Sequence, residues 1–293
     1  MRPIVRGAVL RVVAPSGPFD PEDFAAGVAF LRERYEVRHR SDVLDRAGYL
    51  AGSDERRLDE LNEALADPDA AAIVAARGGY GATRLLSDLS LERVRDAAIP
   101  LVGFSDITAL HALWARASVP SMHGSMVAAL GRSSDEARAR WVTALEGDGP
   151  TLEGLERWVG GVAEGPLLGG NVAVLGSLLG TPHAPPLEGA LLLLEDVGER
   201  PYRLDRVLTS MAQAGWLDRV AGVVVGELTD CRPGTDGVTA EAVLRERLEG
   251  LGVPVVGALP VGHGDRNEAL WLGQRHRLDA TLGTLENVSA SQG

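Results

Sequence analysis

The sequence predicts an α/β protein: an N-terminal, mostly parallel flavodoxin- or Rossmann-like sheet with helices on both faces, followed by a smaller C-terminal α/β domain. Three observations carry this. Short, wholly apolar runs alternate with amphipathic stretches of helical period. Glycine- or serine-bearing turns follow the apolar runs directly. Near the middle, the composition shifts to Gly, Pro and Glu with weak periodicity.

Ala8–Ala14 (AVLRVVA) reads as a buried strand broken by Pro15-Ser16-Gly17-Pro18, and a helix follows over about Pro21–Arg34. Ser53–Ala66 is a helix with Ser53 as N-cap. Asp54 and Glu55 sit at its positive end, and Leu58, Leu61 and Leu65 fall on one face. Ala71–Ala76 and Pro100–Phe104 are further strands, with helical segments at Ala82–Leu86 and Ile107–Ala117. These elements make residues 1–146 one domain, and the Gly/Pro/Glu stretch 147–168 reads as a linker. Residues 169–293 form the second domain. Its strands are Gly189–Leu194, Val220–Val225 and Pro254–Leu259. Its helices are Tyr202–Ala214, capped by Gly215, and Ala240–Leu251. Leu270–Leu272 and Arg277–Leu282 are short strands.

Composition narrows the function. A chain of 293 residues buries roughly three-quarters of its unfolded surface, so it needs no staple or metal for a core. The formal net charge of −12 argues against a nucleic-acid partner, whose phosphates call for Lys and Arg. A single cysteine, Cys231, rules out an intramolecular disulfide. No stretch approaches a membrane span, and the first residues run into a strand without a long apolar signal core. The expected compartment is therefore the cytoplasm, without membrane contact.

Three strand ends carry candidate chemistry. Arg77-Gly78-Gly79-Tyr80-Gly81 follows the strand Ala71–Ala76, and its glycines let backbone N–H groups face negative charge. It reads as a phosphate cradle, an oxyanion hole or a plain turn, and matches neither the dinucleotide fingerprint nor the P-loop. Val102-Gly103-Phe104-Ser105-Asp106 puts a serine at a strand-to-helix turn. The usual elbow has glycine two residues later, where this chain has Ile107, so a capping role for Ser105 or Asp106 competes with a nucleophilic one.

Of six histidines, His263 stands out between Gly262 and Gly264 beyond a strand. None forms a helical i, i+4 zinc pair, so neither a metal nor a cofactor is expected. Glu195-Asp196 ends the apolar run Ala190–Leu194, where α/β sheets place their sites. A third group of this kind orients a catalytic histidine.

Together these segments resemble the LD-carboxypeptidase family of serine peptidases, which includes the microcin-immunity hydrolases. The similarity runs through Val13–Gly17, Leu50–Asp54, Arg77–Gly81, Gly103–Asp106, His123-Gly124, Gly169–Asn171, Leu194–Asp196, Tyr202–Arg206 and Gly262–Gly264. It departs at Ser125, where the family usually has proline. The resemblance implies a triad of Ser105 as nucleophile, His263 as general base and Glu195 as the orienting acid. It also implies an oxyanion hole from the backbone N–H groups of Gly79 and Asp106, and substrate contacts from Arg77, Gly78 and Tyr80. The implied substrate is a murein tetrapeptide losing its terminal D-alanine, and homodimers are common in the family. Two alternatives remain: hydrolysis of a peptidyl or aminoacyl nucleotide, with Trp271 as a candidate base-stacking residue, and a non-catalytic module binding a small anion.

Overall fold

The protein is described by a computed structural model covering residues 4–147 and 149–289. The chain divides into two compact units, Met1–Gly147 and Asp148–Gly293.

In the first unit the strands are β1 (Val9–Val13), β2 (Glu36–Arg38), β3 (Ala70–Ala75), β4 (Leu101–Gly103) and β5 (Ser121–His123). All pair in parallel in the order β5-β4-β3-β1-β2, the flavodoxin arrangement. Every residue of β3 and β4 is buried, so these strands show no polar alternation. The helices are α1 (Pro21–Arg32), α2 (Asp54–Ala66), α3 (Leu91–Ala97), α4 (Thr108–Arg116), α5 (Val127–Arg132) and α6 (Asp135–Glu146). Right-handed crossovers put α1 on one face and α2, α3 and α4 on the other, because the chain reverses direction along the sheet after β2. Contacts agree: α1 packs on α5, and α2 and α4 each pack on α3.

The α1–α5 crossing is unusually close. A Cβ on Gly27 would lie 2.0 Å from the Val127 carbonyl oxygen, and one on Gly131 would lie 2.0 Å from that of Asp23. Alanine in a helix normally stabilises. Here the sign reverses: Gly27→Ala is expected to lose about 1–3 kcal/mol to overpacking, measured by urea unfolding.

The second unit holds a seven-stranded sheet ordered β13-β12-β7-β8-β9-β10-β6. Its strands are β6 (Glu156–Val159), β7 (Val162–Asn171), β8 (Leu191–Val197), β9 (Gly222–Thr229), β10 (Val255–Gly257), β12 (Arg275–Asp279) and β13 (Thr284–Asn287). β11 (Leu270–Leu272) lies just before β12. β7 to β10 run parallel, and the flanking strands are antiparallel. Helices α7 (Val172–Ser177), α8 (Pro201–Gln213) and α9 (Ala240–Leu248) complete it. Helix α8 ends in a Schellman motif: Trp216 N–H reaches the Met211 carbonyl, Gly215 N–H reaches that of Ala212, and Gly215 takes φ 69°. Leu167, Leu191, Leu193, Val224, Val256 and Leu278 centre the core.

The stretch 147–168, expected as a linker, differs from that expectation. It carries β6 and most of β7, and β7 is an inner strand of the sheet. Two glycines of β7 mark close backbone approach instead of flexibility. A Cβ on Gly165 would lie 2.1 Å from the Gly189 carbonyl oxygen, and one on Gly169 would lie 2.1 Å from that of Leu193. With this stretch included, the second unit is about as long as the first and not smaller. Among the described residues, no helix is long and apolar enough to cross a membrane.

Candidate active site

The first unit gathers its chemistry at the carboxyl ends of β1, β3 and β4, beside the switch point of the sheet. Ser105 follows β4 with φ +63°, a left-handed conformation that costs a non-glycine residue of order 1–3 kcal/mol. It opens a single 3₁₀ turn, Ser105–Ile107, leading into α4. No side-chain cap is made at that turn or at the start of α4, so neither Ser105 nor Asp106 is there to cap the helix. The missing glycine after the serine is compensated on the other side. A Cβ on Gly103 would press on the Ile107 side chain at 2.9 Å, so Gly103 makes room for Ile107. Gly78 lies against the serine, where a Cβ would be 3.1 Å from Ser105 Cβ and 3.3 Å from Oγ.

Two buried charges hold the loops around Ser105: the Asp106 carboxylate, whose residue the sequence marked only for capping or for its backbone N–H, and Arg57, which the sequence reading missed. The Asp106 carboxylate accepts the Ser16 hydroxyl at 2.6 Å and the Ala82 N–H at 2.8 Å, tying the β1 loop to the glycine turn. Burial raises the Asp106 pKa, and these two hydrogen bonds and the Arg57 charge oppose the rise. Arg57, fully buried, donates to the carbonyls of Pro15 and of Gly81 (2.9 Å to the latter) and pairs with Asp54. Gly17 N–H donates to the Gly78 carbonyl at 3.0 Å. Arg57 stands on the buried side of α2 beside the exposed Glu55 and Asp59; a cation there was the available signal.

The second unit brings Glu195 and His263 together. Glu195 lies within the buried run of β8, is itself fully buried, and its Oε2 lies 2.8 Å from His263 Nδ1. The bulge after Leu194 in the β8–β9 ladder breaks the strand's register at Glu195. Neighbouring glycines leave the carboxylate its space: a Cβ on Gly226 would lie 3.1 Å from Glu195 Cβ, and one on Gly262 would lie 3.1 Å from Oε2. The His263 loop is pinned by Gly262 N–H to Asn267 Oδ1 at 3.1 Å, and the His263 side chain remains 18% exposed.

Asp196, next to Glu195, has a structural task. It accepts N–H groups from Ala173 and Val197 and the Asn171 amide, fixing the start of α7 to β8. Burial first, with Glu195's charge adding to it, pushes its pKa up to about 6 against those hydrogen bonds.

The remaining predicted residues are scattered in role. Arg77 and Tyr80 are exposed on the glycine turn. Arg77 donates to the Pro18 carbonyl at 2.5 Å, and the Tyr80 ring lies 5.8 Å from that of Tyr49. Gly79 takes φ +109°, which a side chain would strain. Trp271, considered as a base-stacking residue, is 2% exposed and belongs to the interior. His111 is also internal, bonded to Ser121 Oγ and the Gly103 carbonyl, and burial lowers its pKa to about 4. Cys231 is buried with its thiol pushed up to about 11, which removes it as an alternative nucleophile at neutral pH.

The fold and sequence both have known counterparts. Residues 10–124 match the LD-carboxypeptidase N-terminal domain, and residues 164–278 match the LD-carboxypeptidase C-terminal domain. A relative from Streptomyces coelicolor is 41% identical across 97% of this chain and 96% of its own. The murein tetrapeptide carboxypeptidase of Pseudomonas aeruginosa is 35% identical, covering 82% of this chain and 80% of its own. The crystal structure of muramoyltetrapeptide carboxypeptidase from Oxalobacter formigenes superposes with TM-score 0.86 at 29% identity, covering 95% of this chain and 97% of that one. With both domains matched in order along one chain, the protein belongs to the LD-carboxypeptidase family of serine peptidases.

Proposed function

We propose that the protein releases terminal D-alanine from murein tetrapeptides through an acyl-enzyme on Ser105. The observation that carries this reading is the fully buried Glu195 carboxylate, 2.8 Å from His263 Nδ1. That bond orients the imidazole and leaves Nε2 as the nitrogen that takes the Ser105 proton. His263 then returns the proton to the leaving amine, and water hydrolyses the acyl-enzyme by the same steps in reverse. The backbone N–H groups of Gly79 and Asp106 stabilise the tetrahedral oxyanion, each contributing about 10²–10³ in rate. Arg77, Gly78 and Tyr80 contact the substrate.

In this reading residues 1–146 supply the nucleophile and 169–293 the acid and base. The cytoplasm is the site of action, the substrate is a small muropeptide, and the chain works as a homodimer. The burial of Trp271 weighs against a nucleotide conjugate as substrate, because it withdraws the aromatic proposed to stack on a base. A strained serine and a buried carboxylate–imidazole pair weigh against a non-catalytic module, which needs neither.

The test is direct. Purified protein incubated with the free tetrapeptide is expected to release D-alanine, read by a coupled D-amino-acid oxidase assay, and to leave an all-L tetrapeptide intact. No release of D-alanine, or preferential cleavage of an aminoacyl nucleotide, overturns the proposal.

A further inference from the structure

Two carboxylates stand beside the His263 loop, Glu195 on β8 and Glu227 on β9, and the second has no role so far. Glu227 is the half-buried residue that follows the buried part of β9, next to Gly226, and its N–H donates to the Val261 carbonyl at 2.9 Å. Its side chain runs along the loop that carries His263. A Cβ on Gly262 would lie 3.4 Å from Glu227 Cβ, and one on Gly264 would fall within 1.9 Å of Glu227 Oε2. Glu195 and Glu227 thus occupy the space beside the two glycines that flank the histidine, and Gly262 also holds φ +136°. Gly262 is pressed by Glu195 and in ordinary contact with Glu227, and Gly264 is closed in by Glu227 alone.

Glu227 Oε2 is buried and, among the described residues, accepts no hydrogen bond. Shut away from solvent beside Gly264, that oxygen sets its charge against the loop that carries His263. We infer that Glu227 is a second acid for His263, a positioning residue whose charge stabilises the imidazolium formed during acylation and whose carboxylate braces the 262–264 loop. The inference rests on the assignment of His263 as base made above.

Electrostatics support this placement. Burial raises the Glu227 pKa, the Gly264 N–H lowers it, the charges of Asp265 and Glu195 raise it, and His263 lowers it. Those are the charged groups that meet it, and His263 is the one that can become cationic. While the imidazole is neutral, Glu195, Glu227 and Asp265 repel one another. When it takes the serine's proton, the repulsion turns into attraction. That stabilisation exists only along the reaction path, so it raises kcat without tightening substrate binding.

The test uses Glu227→Gln and Glu227→Asp in the full chain, with Ser105→Ala as control. Glutamine keeps an acceptor for Gly264 N–H and removes only the charge. Glu227→Gln is expected to lower kcat about tenfold with KM unchanged, and to move the acid limb of the kcat/KM profile to lower pH by about half to one unit. Glu227→Asp keeps the charge and is expected to restore the acid limb. A Glu227→Gln enzyme with a wild-type acid limb overturns the inference, as does a Glu227→Asp limb shifted as far as that of the glutamine variant. If glutamine unfolds the chain, Glu227→Ala takes its place as the uncharged variant and is judged by the same acid limb, a wild-type limb again overturning the inference. Should Ser105→Ala retain wild-type activity, the serine mechanism itself fails, which separates that outcome from this one.

Discussion

Ser105→Ala is expected to release D-alanine about 10⁴–10⁶-fold more slowly than the parent protein, with KM changed little, because members of a triad act as a unit and removing the nucleophile idles the rest. The residual rate reflects the oxyanion donors and binding alone. Stability provides an independent check. Ser105 holds φ +63°, so alanine inherits the same strain and the melting temperature stays close to that of the parent. Ser105→Gly is the sharper experiment. Glycine adopts this conformation freely and gains about 1–2 kcal/mol, yet the enzyme is equally inactive. A chain that becomes more stable as it loses its reaction shows that the serine is held under strain for chemistry. Paired measurements of D-alanine release and thermal unfolding read both effects. A Ser105→Gly variant less stable than the parent would contradict the strain argument.

The second large effect belongs to Glu195. Glu195→Gln is expected to lower kcat by about 10⁴ at neutral pH while the fold persists, since an uncharged amide offers the imidazolium no counter-charge and can present its NH₂ to Nδ1. The side chain has no alternative position. It is fully buried, and Gly226 and Gly262 close on it from β9 and from the histidine loop. Glutamine therefore sits where glutamate sat, and the loss reports charge and tautomer instead of displacement. Steady-state kinetics with circular dichroism as a folding control measures it. A Glu195→Gln enzyme within tenfold of the parent would remove Glu195 from the mechanism. Asp196→Asn makes the contrast: Asp196 holds N–H groups at the start of α7, so its loss is expected to fall on stability and not on kcat.

Much of this arrangement was legible in the residues. The apolar runs at β1, β3, β8 and β9 are buried on both faces, so they stand out without needing alternation. Ser53 caps α2 through the Arg56 N–H, as its position before an acidic first turn predicted. The three-residue strands β2 and β5 are too short for any period to show. β7 was hidden for a different reason. Its sequence VAEGPLLGGN looks like a linker, because glycines that admit a neighbouring backbone are indistinguishable in sequence from glycines that permit flexibility.

The sequence by itself determined the chemistry available: which side chains stand at strand ends, that a serine, a histidine and an acid occur in family order, and that the helices and buried strands alternate. The tertiary structure alone decided how those groups are held. It sealed Glu195 beside His263, gave Asp106 and Arg57 the task of fixing two loops near Ser105, moved Trp271 into the interior, and laid Glu227 along the histidine loop. The physical reason is that local preference acts over a few residues, whereas burial and hydrogen bonding join groups tens of residues apart. Arg57 meets the carbonyl of Pro15, 42 positions away, and Glu195 meets His263 across 68.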